Sequence, residues 1–566
     1  MVLADANFRL DAQAVDYVLL GVYFVIVLGI GVMARRSVSS SLDFFLSGRS
    51  LPAWVTGLAF VSANLGAVEV FGMTANGAQF GLPTVHYYWI GAIPAMVFLG
   101  IVMMPFYYGS KVRSVPEFLR RRFGPASHLV NATSFAVAQV LISGINLFAL
   151  GSVVNVLLGW PLWVSIVVSA AVVLSYTALG GLAAAIYNEV LQFFVIMAML
   201  VPLTIVGLHR VGGWEGLTQR IVDKAHELSS WPGTNITGIG NATLSVLGIV
   251  FGLGFVLSFG YWTTNFAEVQ RGLSARNMSA ARRTPLIGAY PKLLLPLVIV
   301  IPGMIAAVLS PELLAAKQAL AVDPNAHTDV QFNDAIKLLI RDVLPNGMLG
   351  VAITGLAASF MAGMAANISS FNTVFTYDIW QTYVKKDKPD GYYLRFGRTV
   401  TVVGVVVAIG TAFIASGYEN IMTYLQTLFS FFNAPLFATF ILGLFWKRMT
   451  PAAGWSGLVS GTLAALAVFV LSNSGAVTWF GDPDSQGPSF VGAGVAFVVD
   501  ILVSVLVTMA TKPKPDEELK GLVWSLTPKE DRRHVAEGED RAWYRRPGVL
   551  GAGALVLTVA LNIIFW

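Results

Sequence analysis

The 566-residue chain contains no cysteine, which removes disulfides, thiol nucleophiles and cysteine-ligated metal centres. It is also short of charge: Asp, Glu, Lys and Arg make up 12% of the residues against 56% hydrophobic, and mean hydropathy is +0.70. The six histidines are scattered without metal-ligand spacing, so no resident metal and no organic cofactor is expected. A net charge of +5 could suit nucleic acid. The cations, however, sit in short connections and form no face interleaved with aromatics, which argues against that partner. No block reads as a separate soluble domain, and no intramembrane pairing of histidines with carboxylates suggests an enzyme.

What the chain does have is about fourteen apolar stretches long enough for helices that cross a bilayer. They fall near 15–34, 53–75, 84–107, 128–158, 161–178, 183–208, 243–265, 285–310, 346–380, 397–416, 419–446, 452–472, 489–511 and 547–566. The first follows Asp5, Arg9, Asp11 and Asp16, lacks a signal peptide's basic leader and cleavage site, and is expected to be retained. Glu69, Glu189, Glu268 and Lys292 lie within or beside these stretches. A charge in hydrocarbon costs about 3 kcal/mol or more, so such residues face a polar interior, as in a transporter. The lipid bilayer is thus one partner and a small polar solute the other.

Orientation follows from the cations, because short basic loops stay cytoplasmic. Arg35, Arg36 and Arg49; Lys111, Arg113 and Arg120–Arg122; Arg271, Arg276, Arg282 and Arg283; Lys385, Lys386, Lys388, Arg395 and Arg398; and Lys447 with Arg448 all fall on one side of a fourteen-span chain. The mixed-charge loop 512–546 joins them, which points both termini outward, in a multi-pass protein of the plasma membrane. On the opposite side, 330–344 has a helical apolar period, suited to a helix on the outer face or equally to one tucked against the bundle.

Two stretches look interrupted: Ser62 to Glu69 followed by Gly72 and Gly77, and Gly252-Leu253-Gly254 through Gly260-Tyr261-Trp262. An unwound turn at mid-bilayer exposes backbone carbonyls to a cation and half-helix ends to a solute. The alternative is that these glycines allow close helix packing. Each interruption opens a set of five spans, 53–208 and 243–446, as an inverted five-plus-five repeat would. On this reading 1–52 is an extra helix and loop, 209–242 and 311–345 are outer loops, and 447–566 holds accessory helices.

Eight segments in order carry a family resemblance: DFFLSGRSLPAW (43–54), SANLGAVEVFGM (62–73), SVPEFLRRRFG (114–124), YTALGGLAAAIYNEVLQ (176–192), YWTTNFAEVQRGLSARN (261–277), PKLLLPLVIVIPGMI (291–305), FNTVFTYDIW (371–380) and YLQTLFSFFNAPLFATFILGLFWKR (424–448). Over nearly its whole length the chain resembles the sodium:solute symporters, most closely the sodium/glucose and sodium/galactose branch. The resemblance implies an all-α LeuT-like fold, alternating access and solute uptake driven by a sodium gradient; a functional monomer is expected.

Carried across by the resemblance, the solute site falls on Asn64, Glu69, Ser258, Lys292 and Gln426, with an aromatic inner gate at Tyr261. Such groups suit a sugar or polyol, because each buried hydroxyl needs a partner or costs about 1–3 kcal/mol. The branch's solute-binding glutamate falls on Tyr88, while Glu69 stands where the branch has a neutral or imidazole side chain. Glu69 could accept solute hydroxyls, bind an amine, carry a proton or pair with Lys292. Lys292 could instead snorkel towards the membrane surface, and Gln426 could serve as an interhelical hydrogen bond.

The family's cation site implies the carbonyls of Ser62, Leu65 and Ser359 plus two hydroxyls that fall here on Ala362 and Gly363. Sodium prefers about five or six oxygens, so the loss of two weakens such a site unless other groups replace them. Ser369 and Ser370 lie about 10 Å further along the helix and suit an exit path with Glu189, which matches the family's acidic residue there. Sodium-coupled import of a sugar or polyol is therefore the first expectation. A proton-coupled or uncoupled carrier of a sugar, amino acid or other small zwitterion is the alternative. His86 near the pocket is expected to be a hydrogen-bonded bystander or a titrating group. Four glycosylation-like patterns, at Asn131, Asn235, Asn241 and Asn367, read as chance.

Overall fold

The computed structural model of the chain describes residues 12–36, 38, 40–231, 246, 248–323, 328, 330–345, 347–418, 420–477, 486–528 and 542–565. Asn235 and Asn241, and parts of the loops 209–242, 311–345, 473–488 and 512–546, lie outside the described residues. Among those described, helices account for the regular structure, and pairing between extended segments is confined to an isolated bridge between Leu51 and Ala275.

The helices follow the apolar stretches. In chain order they are α1 (Ala14–Arg35), α2 (Ala53–Asn64), α3 (Val68–Phe80), α4 (Leu82–Gly109), α5 (Val115–Phe123), α6 (Pro125–Leu158), α7 (Leu162–Ala178), α8 (Gly180–Val211), α9 (Gly248–Thr264), α10 (Phe266–Leu273), α11 (Met278–Leu309), α12 (Pro311–Val322), α13 (Ala335–Val343), α14 (Met348–Val384), α15 (Asp390–Ala415), α16 (Ile421–Phe445), α17 (Pro451–Asn473), α18 (Gly487–Ala510) and α19 (Pro547–Ile564). Eleven described helices are long and apolar enough to cross a membrane, rising to thirteen if each of two bent pairs forms one span. The peripheral helices α1, α17 and α19 carry large exposed side chains such as Val25, Leu463 and Ile563, a surface made for lipid. The central α6, α11, α14 and α16 are mostly buried.

The two bends occupy instructive places. Between α2 and α3 the axis turns by 57°. Leu65 there leaves the helical region with ψ 43°, within the interruption expected from sequence. Between α9 and α10 the turn is 46°, but it falls at Asn265 (ψ 113°), whose side chain accepts from Ala267 N at 2.9 Å and caps α10. The glycine run expected to unwind is continuous helix instead. A Cβ on Gly252 would meet Phe490, one on Gly254 would meet Ile90, and one on Gly260 would lie 2.8 Å from Asn433 O. These glycines admit neighbouring helices, the packing reading.

One further expectation changes, and two open alternatives resolve towards burial. Arg271, counted among the loop cations, is fully buried against Glu189, and Arg122 is fully buried with its guanidinium on the carbonyls of Gly443, Trp446 and Met449. Lys292 does not snorkel: it is 1% exposed. The amphipathic segment 330–344 contributes α13, which buries Ile336, Leu339, Ile340 and Val343 against the bundle and so takes the tucked alternative.

Candidate solute pathway

The break after Asn64 places a cavity of about 80 Å3 at the centre of the bundle, among α2, α3, α9, α11, α14 and α16. It has room for a handful of waters. Asn64, Glu69, Ser258, Tyr261, Lys292 and Gln426, all named from the sequence, line it together. Tyr88 does not. It lies buried behind Glu69 and donates its hydroxyl to Glu69 Oε2 at 2.7 Å, so it acts on the solute site through the groups it touches there and not by lining it.

One hydrogen-bonded chain runs through these groups. Lys292 Nζ donates to Glu69 Oε1 at 2.6 Å and to Asn64 Oδ1. Asn64 Nδ2 donates to Tyr261 Oη at 2.9 Å, and Tyr261 donates in turn to Glu268 Oε1 at 2.6 Å. The ammonium also faces the rings of Tyr88 and Trp262, at 4.9 and 5.2 Å from their centroids. Tyr261 stacks on Phe429 at 4.8 Å. Its ring thus lines the cavity beside Phe429 while its hydroxyl ties α2 to α10.

The expected cation site is assembled only in part. Leu65 O is exposed by the break and accepts from Ser359 Oγ at 2.5 Å. Ser62 Oγ is buried with no partner among the described residues. Ala362 is buried and offers no side-chain oxygen. At Gly363 a Cβ would lie 2.4 Å from Asn146 Oδ1 and 3.0 Å from Gly66 Cα. The Asn146 amide therefore fills the space a side chain at 363 would need, and its Oδ1 accepts from Ala67 N at 2.8 Å.

Beyond the gate, Glu189 makes a two-pronged contact with Arg271, both side chains fully buried. Ser369 lines a small cleft with Thr373 and Gln270, and Ser370 Oγ donates to Asn367 O at 2.9 Å and Gln139 Oε1 at 3.3 Å. The three proposed exit-path residues are thus bonded or lodged between helices. His86 is bonded to Ser230 O at 2.7 Å and packs at a tilt against Trp231, the bystander's place.

Asn146, Trp262, Phe429 and Tyr87 also line the cavity and were not singled out from the sequence. Asn146 could have been found, since it is the amide in the apolar run Ile145-Asn146-Leu147-Phe148. The aromatics could not, because stretches so rich in Phe and Tyr do not distinguish a gate from packing.

A bundle of membrane-length helices with one of them broken midway, oxygens at the break and a cavity lined by polar side chains beside it is the architecture of a secondary transporter, not an enzyme. A structure of a Na+-coupled sialic acid symporter in a substrate-bound outward-open state has the same fold, with TM-score 0.72 at 18% identity over 88% of this chain and 99% of that one. The profile of the sodium:solute symporter family matches residues 44–461, and the chain belongs to that family. Sodium/glucose cotransporter 1 of Ovis aries is 28% identical over 556 residues, 93% of this chain and 83% of the relative. The sodium/glucose cotransporter of Vibrio parahaemolyticus is 28% identical over 478 residues, 81% of this chain and 86% of the relative. The protein is thus a multi-pass membrane symporter with a LeuT-like fold, of a class that couples small-solute movement to sodium.

Proposed function

We propose that the protein imports a neutral, hydroxyl-rich solute, a sugar or polyol, with sodium. The observation that carries this reading is the pairing of Glu69 with Lys292. Their charges cancel inside the cavity, and neutral groups remain to meet a solute: the Gln426 amide, whose Oε1 has no partner among the described residues, and the Ser258 hydroxyl, in a cavity that Tyr261 and Trp262 also line. A net-charged solute would meet no uncompensated partner there. The names of the curated relatives, sodium/glucose cotransporters, agree.

For the cation, the linked groups at the cavity and along the expected exit path include three buried carboxylates, Glu69, Glu189 and Glu268, beside the two cations Lys292 and Arg271. Glu268 Oε2 has no partner among the described residues. A coupled cation supplies the missing positive charge. The carbonyl of Leu65, Ser359 Oγ and Asn146 Oδ1 provide oxygens at the break, where the hydroxyls at 362 and 363 are absent. Glu189 with Ser369 and Ser370 would form the release path after the Arg271 pair opens. A second reading, proton coupling with a sugar or zwitterion as cargo, is favoured by Glu69 itself, a carboxylate lining the solute cavity.

In this scheme the halves 53–208 and 243–446 move against each other about the cavity, in a monomer in the plasma membrane with both termini outside. Counterflow in proteoliposomes tests it, using labelled sugars, polyols and amino acids with sodium, with a pH gradient alone and with neither. Sodium-stimulated exchange of a sugar or polyol is the expected result. Equal accumulation in choline and sodium media overturns sodium coupling, and exchange confined to amino acids overturns the solute class.

A further inference from the structure

Away from the transport cavity, α6, α14 and α15 enclose a groove of about 520 Å3 on the outer surface of the bundle, within the roughly 300–1,000 Å3 of ligand sites. Val137, Phe371, Phe375, Val400 and Val403 line it. Its two threonine hydroxyls turn back onto the backbone, Thr411 to Val140 O at 3.0 Å and Thr399 to Arg395 O at 3.3 Å, so the groove presents carbon. Val137 and Val403 are 54% and 52% exposed, which places the groove open to the surrounding hydrocarbon. From Phe396 to Thr411 it runs about 22 Å along α15, longer than the about 15 Å of one leaflet's hydrocarbon.

The two ends differ. At one, Thr411 meets Gly144 so closely that a Cβ there would lie 2.3 Å from Thr411 Oγ1. The other is walled by Trp380, which stacks on Phe396 at 4.3 Å and donates its indole N–H to Tyr392 Oη at 3.0 Å. An aromatic pair with polar tips belongs at the headgroup level. Just beyond it stand Lys385, Lys386, Lys388, Arg395 and Arg398. Of the nearby acids, Asp390 is engaged by the backbone N–H and hydroxyl of Ser41, leaving Asp387 as the exposed counter-charge. Arg395 is exposed and lies one turn before Thr399, on the helical face that Thr399 presents to the groove.

We propose that this groove binds an anionic phospholipid, one acyl chain along α15 and the phosphate headgroup at Arg395 and Lys388. An apolar trough alone would take any lipid. The cationic cluster at its aromatic mouth selects the charged one, each such residue contributing about 1 kcal/mol near a membrane surface.

The full-length protein, reconstituted in phosphatidylcholine vesicles with a trace of phosphatidylglycerol carrying a photoreactive acyl chain, tests this. Cross-links should map to peptides containing Phe375 and Val403. Unlabelled phosphatidylglycerol should compete at least about tenfold better than phosphatidylcholine, and the double substitution Arg395→Glu, Lys388→Glu should erase that preference. Val403→Trp should abolish the cross-links by filling the groove, and Val403→Phe serves where the larger ring prevents folding. Equal competition by the two lipids, cross-links on other helices or on a second copy of the chain, or an unchanged preference after charge reversal overturns the proposal.

Discussion

Glu69 and Lys292 meet at 2.6 Å across the cavity, the carboxylate from α3 and the ammonium from α11, so one buried ion pair joins the two expected halves of the fold. Each partner is otherwise satisfied by neutral groups, Tyr88 for the carboxylate and Asn64 for the ammonium. Removing one charge strands the other in a low-dielectric site, at a cost of about 3–5 kcal/mol. Glu69→Gln is therefore expected to lower the unfolding temperature in detergent and to cut uptake at least about tenfold. The pair Glu69→Gln, Lys292→Met should recover most of the stability without recovering transport. Normal uptake by Glu69→Gln would move the solute site elsewhere.

Gln426 has a different signature. Its Nε2 reaches only Met422 Sδ, at 3.3 Å, and its Oε1 is unpaired among the described residues. Truncation to Ala therefore leaves no protein group newly stranded, and the loss should appear in solute affinity and not in stability. One hydrogen bond to a buried hydroxyl is worth about 1–3 kcal/mol, so the apparent affinity should fall roughly fivefold to more than a hundredfold. Uptake titrations with wild-type and Gln426→Ala proteoliposomes measure it, and an unchanged half-saturation concentration would exclude Gln426 from the site.

The same residues show what a sequence can and cannot disclose. Glu69 and Lys292 stood out because charges in apolar stretches are costly and so are placed for a reason, whereas Asn64 and Gln426 were reached through the family resemblance. The break at Leu65 was legible from the glycine and polar run around it. The second break was not: its glycines pack against Phe490, Ile90 and Asn433, and the turn depends on Asn265, a capping residue whose role needs its own backbone geometry. Nor could Arg271 be told from a loop cation, because its partner Glu189 lies 82 positions away in the chain.

Asn146 and Gly363 share one space at the break, so their substitutions are expected to be coupled. Gly363→Ser alone should destabilise, since its Cβ would lie 2.4 Å from Asn146 Oδ1. Asn146→Ala alone should weaken the sodium dependence of uptake by removing an oxygen. Together, Asn146→Ala and Gly363→Ser should restore part of the stability and part of the sodium dependence, because the serine then loses its clash with the amide and keeps only the 3.0 Å approach to Gly66 Cα. Additive losses in the double variant, read from sodium titrations and unfolding temperatures, would remove Asn146 from the cation site.

Outside the membrane-spanning helices, Glu227 and Lys317 form a clasp at 2.6 Å, and Lys317 also donates to Ala78 O near the end of α3 at 2.6 Å. Burial pushes the Glu227 carboxyl above its ordinary 4.5, although Lys317 and the backbone N–H it receives pull the other way. Burial likewise pulls the Lys317 ammonium below 10.5 against the pull of Glu227. A carboxyl raised on folding binds its proton more tightly in the folded chain, so folding takes up protons between its unfolded and folded values. The resulting stabilisation is fully present below the unfolded value of 4.5 and is lost as pH rises through the folded value. The lysine's own contribution is complete above 10.5 and is lost as pH falls through its lowered value. Glu227→Gln cannot titrate. The unfolding temperature of the wild type minus that of Glu227→Gln should accordingly rise as pH is lowered from 8 towards 4.5. A flat difference, or one that falls, would mean that the carboxyl is not held above its ordinary range by this clasp.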